Sequence, residues 1–282
     1  MKRLTALATD PAYLDWYIAI RNRKRLNVRT LLIAEHEFVE ERYEALADSV
    51  TDNNLSDMKI DARSTPLNAI LRACYDGSTE PLRDLLKAIV AAQPTRLMKY
   101  CPMCGTTLHS TFAHYLPAAR FPEFAVHPLN LVPCCSKCNS TKNGSWLSAG
   151  GGRQYLHAYS DELPNRQFVT VDLHERDGLV GVGATFSLIR PPGVENGMWE
   201  LVKSHFDRLH LINRYDEQGN NEIAEILADC RTYIETGGHD ARELLSGIAN
   251  DRRLVYGRNH WRAVLMEALS AHDNFETWLQ DA

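Results

Sequence analysis

Apolar residues recur at spacings of three and four along the first third of the chain: Tyr13, Trp16, Tyr17 and Ile20, then Leu31, Leu32, Phe38, Val39 and Tyr43. That period marks one face of an amphipathic helix. Residues 1–95 therefore read as a helical region, with Asp10-Pro11 as a cap and first-turn proline. A second helical pair is expected over Pro66 to Tyr75 and Pro81 to Ala92, after a polar stretch from Asp48 to Ser64, and Gln93-Pro94-Thr95 breaks the pattern. Between 155 and 190 the period changes to two. Phe168 to Leu173 alternates, Asp177-Gly178 signals a turn, Leu179 to Ile189 supplies a partner strand, and Pro191-Pro192-Gly193 closes it. Helical spacing returns at Trp199, Val202, Phe206, Leu209 and Leu211, and continues through Ile223 to Thr236, Ala241 to Ile248 and Trp261 to Leu279.

Between the helical and strand-like regions lie two Cys-x-x-Cys knuckles, Cys101-Pro-Met-Cys104 and Cys135-Ser-Lys-Cys138. A two-residue spacer lets both sulfurs of a knuckle reach one ion, and a tetrahedral Zn²⁺ takes four thiolates at about 2.3 Å. A disulfide pair, a redox dithiol and a zinc ribbon are the competing readings. No apolar leader is visible before Leu14, a stretch that holds Lys2, Arg3 and Asp10. A reducing, cytoplasmic setting is expected, and it disfavours disulfides. Cys74, Cys134 and Cys230 read as buried thiols. Around the knuckles, Thr111 to Leu116 reads as a strand ended by Pro117, and Asn130 to Val132 as a second. A short helix is expected from Ser136, whose hydroxyl is placed to cap it, to Asn143-Gly144.

With 44% hydrophobic and 24% charged residues among 282, the chain has the composition of a globular protein with a core and accessory lobes. No run approaches the roughly 18 apolar residues of a membrane span. The net charge of −5 disfavours unaided gripping of nucleic acid. Any basic footprint must be local, as in Arg21-Asn-Arg-Lys-Arg25 with Arg29, or a partner must supply it. The cluster reads equally well as a solvated turn.

Three segments in order, Cys101-Pro-Met-Cys-Gly105, His114-Tyr-Leu-Pro117 and Phe121-Pro-Glu-Phe-Ala-Val-His-Pro-Leu-Asn-Leu-Val-Pro-Cys-Cys-Ser-Lys-Cys-Asn-Ser-Thr-Lys142, resemble the HNH endonucleases, the ββα-metal finger nucleases, in the variant whose third signature residue is asparagine. The resemblance covers about 99–144, with a weaker echo at Tyr155 to Tyr159. It implies a four-cysteine zinc finger of ββα-metal type (96–150), and with the periodicities above the expectation is an α+β protein in which that finger is flanked by an N-terminal helical region (1–95), long enough to be a docking surface, a small antiparallel β extension (151–195) and a C-terminal helical region (196–282). It further implies that His114 is the general base, that Asn130 braces the loop and orients the imidazole, and that Asn139 offers its amide oxygen to a catalytic Mg²⁺ or Mn²⁺. That second cation would be distinct from the zinc held by Cys101, Cys104, Cys135 and Cys138. A histidine with its ordinary pKa near 6.5 suits proton abstraction at neutral pH.

One position departs from the pattern. Where the family places a metal-binding Asp, Glu or His before the catalytic histidine, this chain has Ala113, and Mg²⁺ normally needs one or two carboxylates. A weak or inactive nuclease is expected. A naturally degenerate site and a substitution made to trap an intact complex are both open, and retention of His114, Asn130 and Asn139 favours the second. Glu123, His127 and Asp161 are candidate surrogate ligands, with solvated loop residues as the simpler reading. Lys137 and Lys142 read either as phosphate contacts or as ordinary surface lysines. His109 is a zinc neighbour at most, and His157 and Tyr159 either pack behind the finger or approach substrate.

The resemblance implies hydrolysis of double-stranded DNA, with delivery by a partner such as an ATPase or sensor subunit, as in anti-phage systems, or by self-assembly. No helix-turn-helix is evident. A retired zinc module acting in assembly or nucleic-acid binding is the alternative, and an RNA target is a third.

Overall fold

The computed structural model describes residues 2–175 and 181–281. The expected Asp177-Gly178 turn, with Leu179 and Val180, lies outside the described residues. The chain divides into two compact units: Arg3–Met103 with Thr107–Glu162, and Met1–Lys2 with Cys104–Thr106 and Leu163–Ala282. It is an α+β protein with two small antiparallel sheets. No helix among the described residues is long and apolar enough to cross a membrane.

In the first unit, five helices precede the cysteine region: α1 (Tyr13–Asn22), α2 (Leu26–Ala34), α3 (His36–Thr51), α4 (Ser64–Arg72) and α5 (Glu80–Ala91). The apolar period behaves as read, because α1 buries Tyr17 and Ile20 and α3 buries Phe38, Val39, Tyr43 and Leu46. Two local details differ. The cap of α1 is the Asp15 carboxylate accepting from Ala12 N at 2.9 Å, with Asp10-Pro11 lying upstream. The apolar run from Leu31 to Tyr43 is divided at Glu35 into α2 and α3, which turns the buried face of α3 independently of α2.

The cysteine region then forms strand β1 (Thr111–His114), strand β2 (Leu131–Cys134) and helix α6 (Ser136–Lys142). The strands are antiparallel, pairing Ala113 with Val132 and His114 with Leu131. The cap of α6 is the Cys135 sulfur, which accepts from Cys138 N at 3.4 Å, in place of the expected Ser136 hydroxyl. Asn143, at φ 44° and ψ −130°, leaves the helical conformation and stops the helix.

In the second unit, β3 (Val169–Glu175) pairs with β4 (Val182–Leu188) in full antiparallel register. Helix α7 (Asn196–Arg208) precedes the long helix α8 (Leu211–Glu235), which packs on β4. Gly219 permits that approach, since a Cβ there would come within 2.7 Å of the Phe186 ring. Helices α9 (Ala241–Tyr256), α10 (Trp261–Ala271) and α11 (Phe275–Asp281) complete the unit. The segment read as one helix from Trp261 to Leu279 breaks at His272. Asn259 accepts from Phe168 N and Val169 N at 2.7 and 3.0 Å and so fixes the start of β3. Residues 104–106 are anchored in the same unit. Tyr215 Oη donates to the Cys104 carbonyl at 3.0 Å and Trp261 Nε1 to the Gly105 carbonyl at 2.9 Å.

Candidate functional site

Cys101, Cys104, Cys135 and Cys138 are buried, and their sulfurs lie within 4.8 Å of one another. An ion bound at about 2.3 Å would set four sulfurs about 3.8 Å apart, so the residues fit a four-cysteine zinc site. The surrounding donors point the same way. Cys135 N donates to Cys101 Sγ at 3.2 Å, and the Arg214 guanidinium donates to Cys104 Sγ at 3.2 Å and to Thr106 Oγ1 at 3.0 Å. Four thiolates outweigh a dication, and N–H donors with a buried arginine offset the excess negative charge.

His114 ends β1. Alternation places Thr111 and Ala113 on one face of the strand and Phe112 and His114 on the other. The imidazole Nε2 lies 2.8 Å from the Ala125 carbonyl, an acceptor only, so Nε2 carries the proton and the lone pair sits on Nδ1. Nδ1 makes no hydrogen bond among the described residues. Burial pulls the His114 pKa down to about 4; the charges of Lys142 and Arg72 push the same way, and the Ala125 bond and Asp76 oppose them.

The carbonyl that holds the imidazole is itself held. Asn130 is buried, its Oδ1 accepts from Leu116 N at 2.7 Å, and its Nδ2 donates to the carbonyls of Leu116 at 3.1 Å and Phe124 at 3.0 Å. Phe124 immediately precedes Ala125, so Asn130 and His114 bind consecutive carbonyls of one loop. Glu123 fixes the other side of that loop. Its carboxylate accepts from Arg42 Nε at 3.0 Å on α3 and from the Ser64 hydroxyl at 2.8 Å on α4.

On the opposite face of β1, Asn139 Nδ2 stands 3.5 Å from both Thr111 Oγ1 and the Phe112 carbonyl, while its Oδ1 accepts no bond among the described residues. The same face carries Ala113, which is 1% exposed. Three residues on from Asn139, Lys142 is buried rather than superficial. Its Nζ donates to the His114 carbonyl at 2.8 Å and lies over the rings of Tyr115 and Tyr155. Burial lowers its pKa to about 7.

The candidate surrogate ligands are buried rather than solvated. Glu123 is committed to Arg42 and Ser64. Asp161 takes a two-pronged bond from Arg153, at 2.8 and 3.0 Å, and another from His157 N at 2.6 Å. His127 accepts from Leu129 N through Nδ1, has no hydrogen-bond partner at Nε2 among the described residues, and packs among Tyr13, Tyr43 and Phe124. Position 113 itself supplies no carboxylate for Mg²⁺ or Mn²⁺, and the carboxylate whose charge reaches His114 is that of Asp76. His157 and Tyr159 pack behind the ribbon, bonding the carbonyls of Leu129 and Leu131. His109 Nδ1 lies 3.1 Å from the Met98 carbonyl, and Lys137 is exposed on α6. Spacing gave no hint of Arg72 at the end of α4 or of Tyr75 and Asp76 in the turn after it, whose ring and charges act on the imidazole; Tyr75 meets it edge-on at 4.6 Å. Only the i,i+3 relation of Lys142 to Asn139 could have flagged the lysine.

No family model matches the chain, and no solved structure matches it. Among curated proteins it is similar to protein ea31 of Escherichia phage lambda, with 28% identity over 188 residues, covering 62% of this chain and 62% of that protein. The chain thus spans less than two thirds of the length of that relative, whose name states no activity.

Proposed function

We propose that this chain is an HNH-type endonuclease directed at double-stranded DNA, clamped by a structural zinc and impaired in its cutting step by Ala113. One observation carries the reading: an imidazole held through Nε2 on a loop that Asn130 braces, with its Nδ1 lone pair open, in the ribbon and helix whose cysteines cluster for zinc. At neutral pH the ring is uncharged and can accept a proton from water at Nδ1. The Ala125 carbonyl then stabilises the imidazolium through Nε2. A phosphodiester anion brought beside the ring raises its basicity from the low resting value, so base strength arrives with the substrate.

In such hydrolysis a divalent cation neutralises charge on the phosphate. With alanine at 113 the site lacks the carboxylate that the family's pattern places before the histidine, so binding with slow or absent cleavage is the expected behaviour. The net charge of −5 supports delivery by a partner, an ATPase or sensor subunit, or by self-assembly. Ala113 also favours a second reading, a binding or assembly subunit that has lost catalysis.

Plasmid nicking by Ala113→Asp in Mg²⁺ or Mn²⁺, with RNA in parallel, separates them. The nuclease reading expects DNA nicking that disappears in the Ala113→Asp, His114→Ala double variant. Inert Ala113→Asp protein, with zinc content intact and the partner present, defeats it.

A further inference from the structure

The turn that ends α4 faces the imidazole. Tyr75 N and Asp76 N both donate to the Arg72 carbonyl, at 2.9 and 3.0 Å, so residues 72–76 add one helical turn beyond α4. Arg72, Tyr75 and Asp76 are therefore three and four residues apart and share a face. The edge-on contact of Tyr75 with His114 turns that face toward the imidazole. Lys24, from the basic cluster between α1 and α2, pins the turn by donating to the carbonyls of Asp76 at 3.1 Å and Gly77 at 3.4 Å. Gly77, at φ 80°, lets the chain leave it.

Three charges act on the imidazole: those of Lys142, Arg72 and Asp76. Lys142 is buried and engaged with the His114 carbonyl, and Asp76 is an anion. Arg72 is exposed and makes no ion pair or side-chain hydrogen bond among the described residues. A guanidinium presents a planar fork of donors matched to phosphate oxygens, and here it is carried one turn from the ring that touches His114.

The geometry points to Arg72 as the side chain that grips a backbone phosphate of nucleic acid drawn up to His114, with Lys24 as the positioning residue of its turn. This rests on the DNA reading above and adds to it a contact supplied by the N-terminal helices. With alanine in place of a cation ligand at 113, Arg72 supplies positive charge to the phosphate.

The test is fluorescence anisotropy of a fluorescein-labelled duplex of random sequence, titrated with the full chain over a range of salt. Arg72→Ala should lower the slope of log affinity against log salt by about 0.9, the loss of one phosphate contact. Arg72→Lys should keep the slope. Lys87→Ala, which removes an exposed lysine on α5, should leave it unchanged. Since Arg72 is exposed, its variants should melt like the parent, which separates lost contact from lost fold. A parent that binds duplex while Arg72→Ala retains the full slope and affinity overturns the assignment and leaves the DNA reading standing. A parent that shows no salt-dependent binding, together with inert Ala113→Asp, overturns both.

Discussion

Replacing Asn130 with alanine tests whether the imidazole depends on the loop brace. The substitution removes three hydrogen bonds of 2.7, 3.0 and 3.1 Å from a fully enclosed site and orphans the Leu116 N–H, whose residue is 0% exposed. An unsatisfied buried donor costs about 1–3 kcal/mol and each lost neutral bond about 1 kcal/mol, so a loss of about 3–5 kcal/mol is expected. At about 2–4 °C per kcal/mol for a unit of this size, calorimetry should show the melting of the first unit falling by about 6–20 °C. A second, more diagnostic readout follows from the chain Asn130 to Phe124 carbonyl to Ala125 carbonyl to His114. When the loop slackens, more of the ring is exposed to water. Relief of burial, the largest cause of its depressed pKa, outweighs the weakened carbonyl bond. NMR titration should then place His114 of Asn130→Ala above the parent value of about 4, nearer the ordinary histidine value. Asn130→Asp keeps an oxygen for Leu116 N but sets a carboxylate against two carbonyl oxygens. That raises its pKa, so the variant should be least stable at neutral pH and recover as pH falls. Stability within about 1 kcal/mol of the parent, together with an unmoved His114 titration in Asn130→Ala, would refute the bracing argument.

Zinc should be stoichiometric by elemental analysis, and a strong chelator or Cys138→Ser should abolish the folded finger's near-ultraviolet dichroism, because the ion's binding energy is part of the folding energy. Acid should weaken the first unit for a definite reason. His114 and His157 are depressed to about 4 and His127 to about 3, so each contributes stability that is complete above the unfolded histidine value near 6.5 and is lost as pH falls through the folded values. His157→Gln should make the loss between pH 6.5 and 4 shallower, as read from thermal melts. Lys142 predicts the opposite side of the pH scale. Its folded pKa near 7 lies below the unfolded lysine value, so the folded state binds fewer protons and stability rises with pH above 7. Lys142→Met should abolish that rise, and an unchanged pH profile would show the ammonium to be solvated.

How far the sequence could be read follows from the distance over which each feature is decided. The knuckles need only a two-residue spacer, and the helices announce themselves through apolar residues one turn apart, so both were legible. The cap of α6 was not, because Ser136 is a good capping residue only if the thiol before it is idle, and Cys135 Sγ already faces Cys138 N. Glu123 read as solvated because its partners Arg42 and Ser64 stand 81 and 59 residues earlier in the chain. Lys142 read as superficial because nothing in its helix foretells that Tyr115 and Tyr155 will enclose it.

The loop from Phe121 shows a signal that was present and outweighed. Every residue from Phe121 to Cys135 is buried, although loops ordinarily run over the surface. The run Phe121-Pro-Glu-Phe-Ala-Val-His-Pro-Leu-Asn-Leu-Val-Pro-Cys-Cys135 carries only Glu123, His127 and Asn130 as strongly polar side chains. A stretch that apolar cannot sit in water, and its polar residues must find partners within the fold. Glu123 takes Arg42 and Ser64, His127 takes Leu129 N, and Asn130 takes Leu116 and Phe124. This burial gives the loop its chemical use. A carbonyl on a mobile surface loop would hold an imidazole in one of several poses, whereas the Ala125 carbonyl, 1% exposed as a residue and flanked by bonded neighbours, offers His114 a fixed acceptor. The polar residues of this loop therefore act on the imidazole through the backbone they immobilise, and that commitment is what removes Glu123 from the pool of metal ligands.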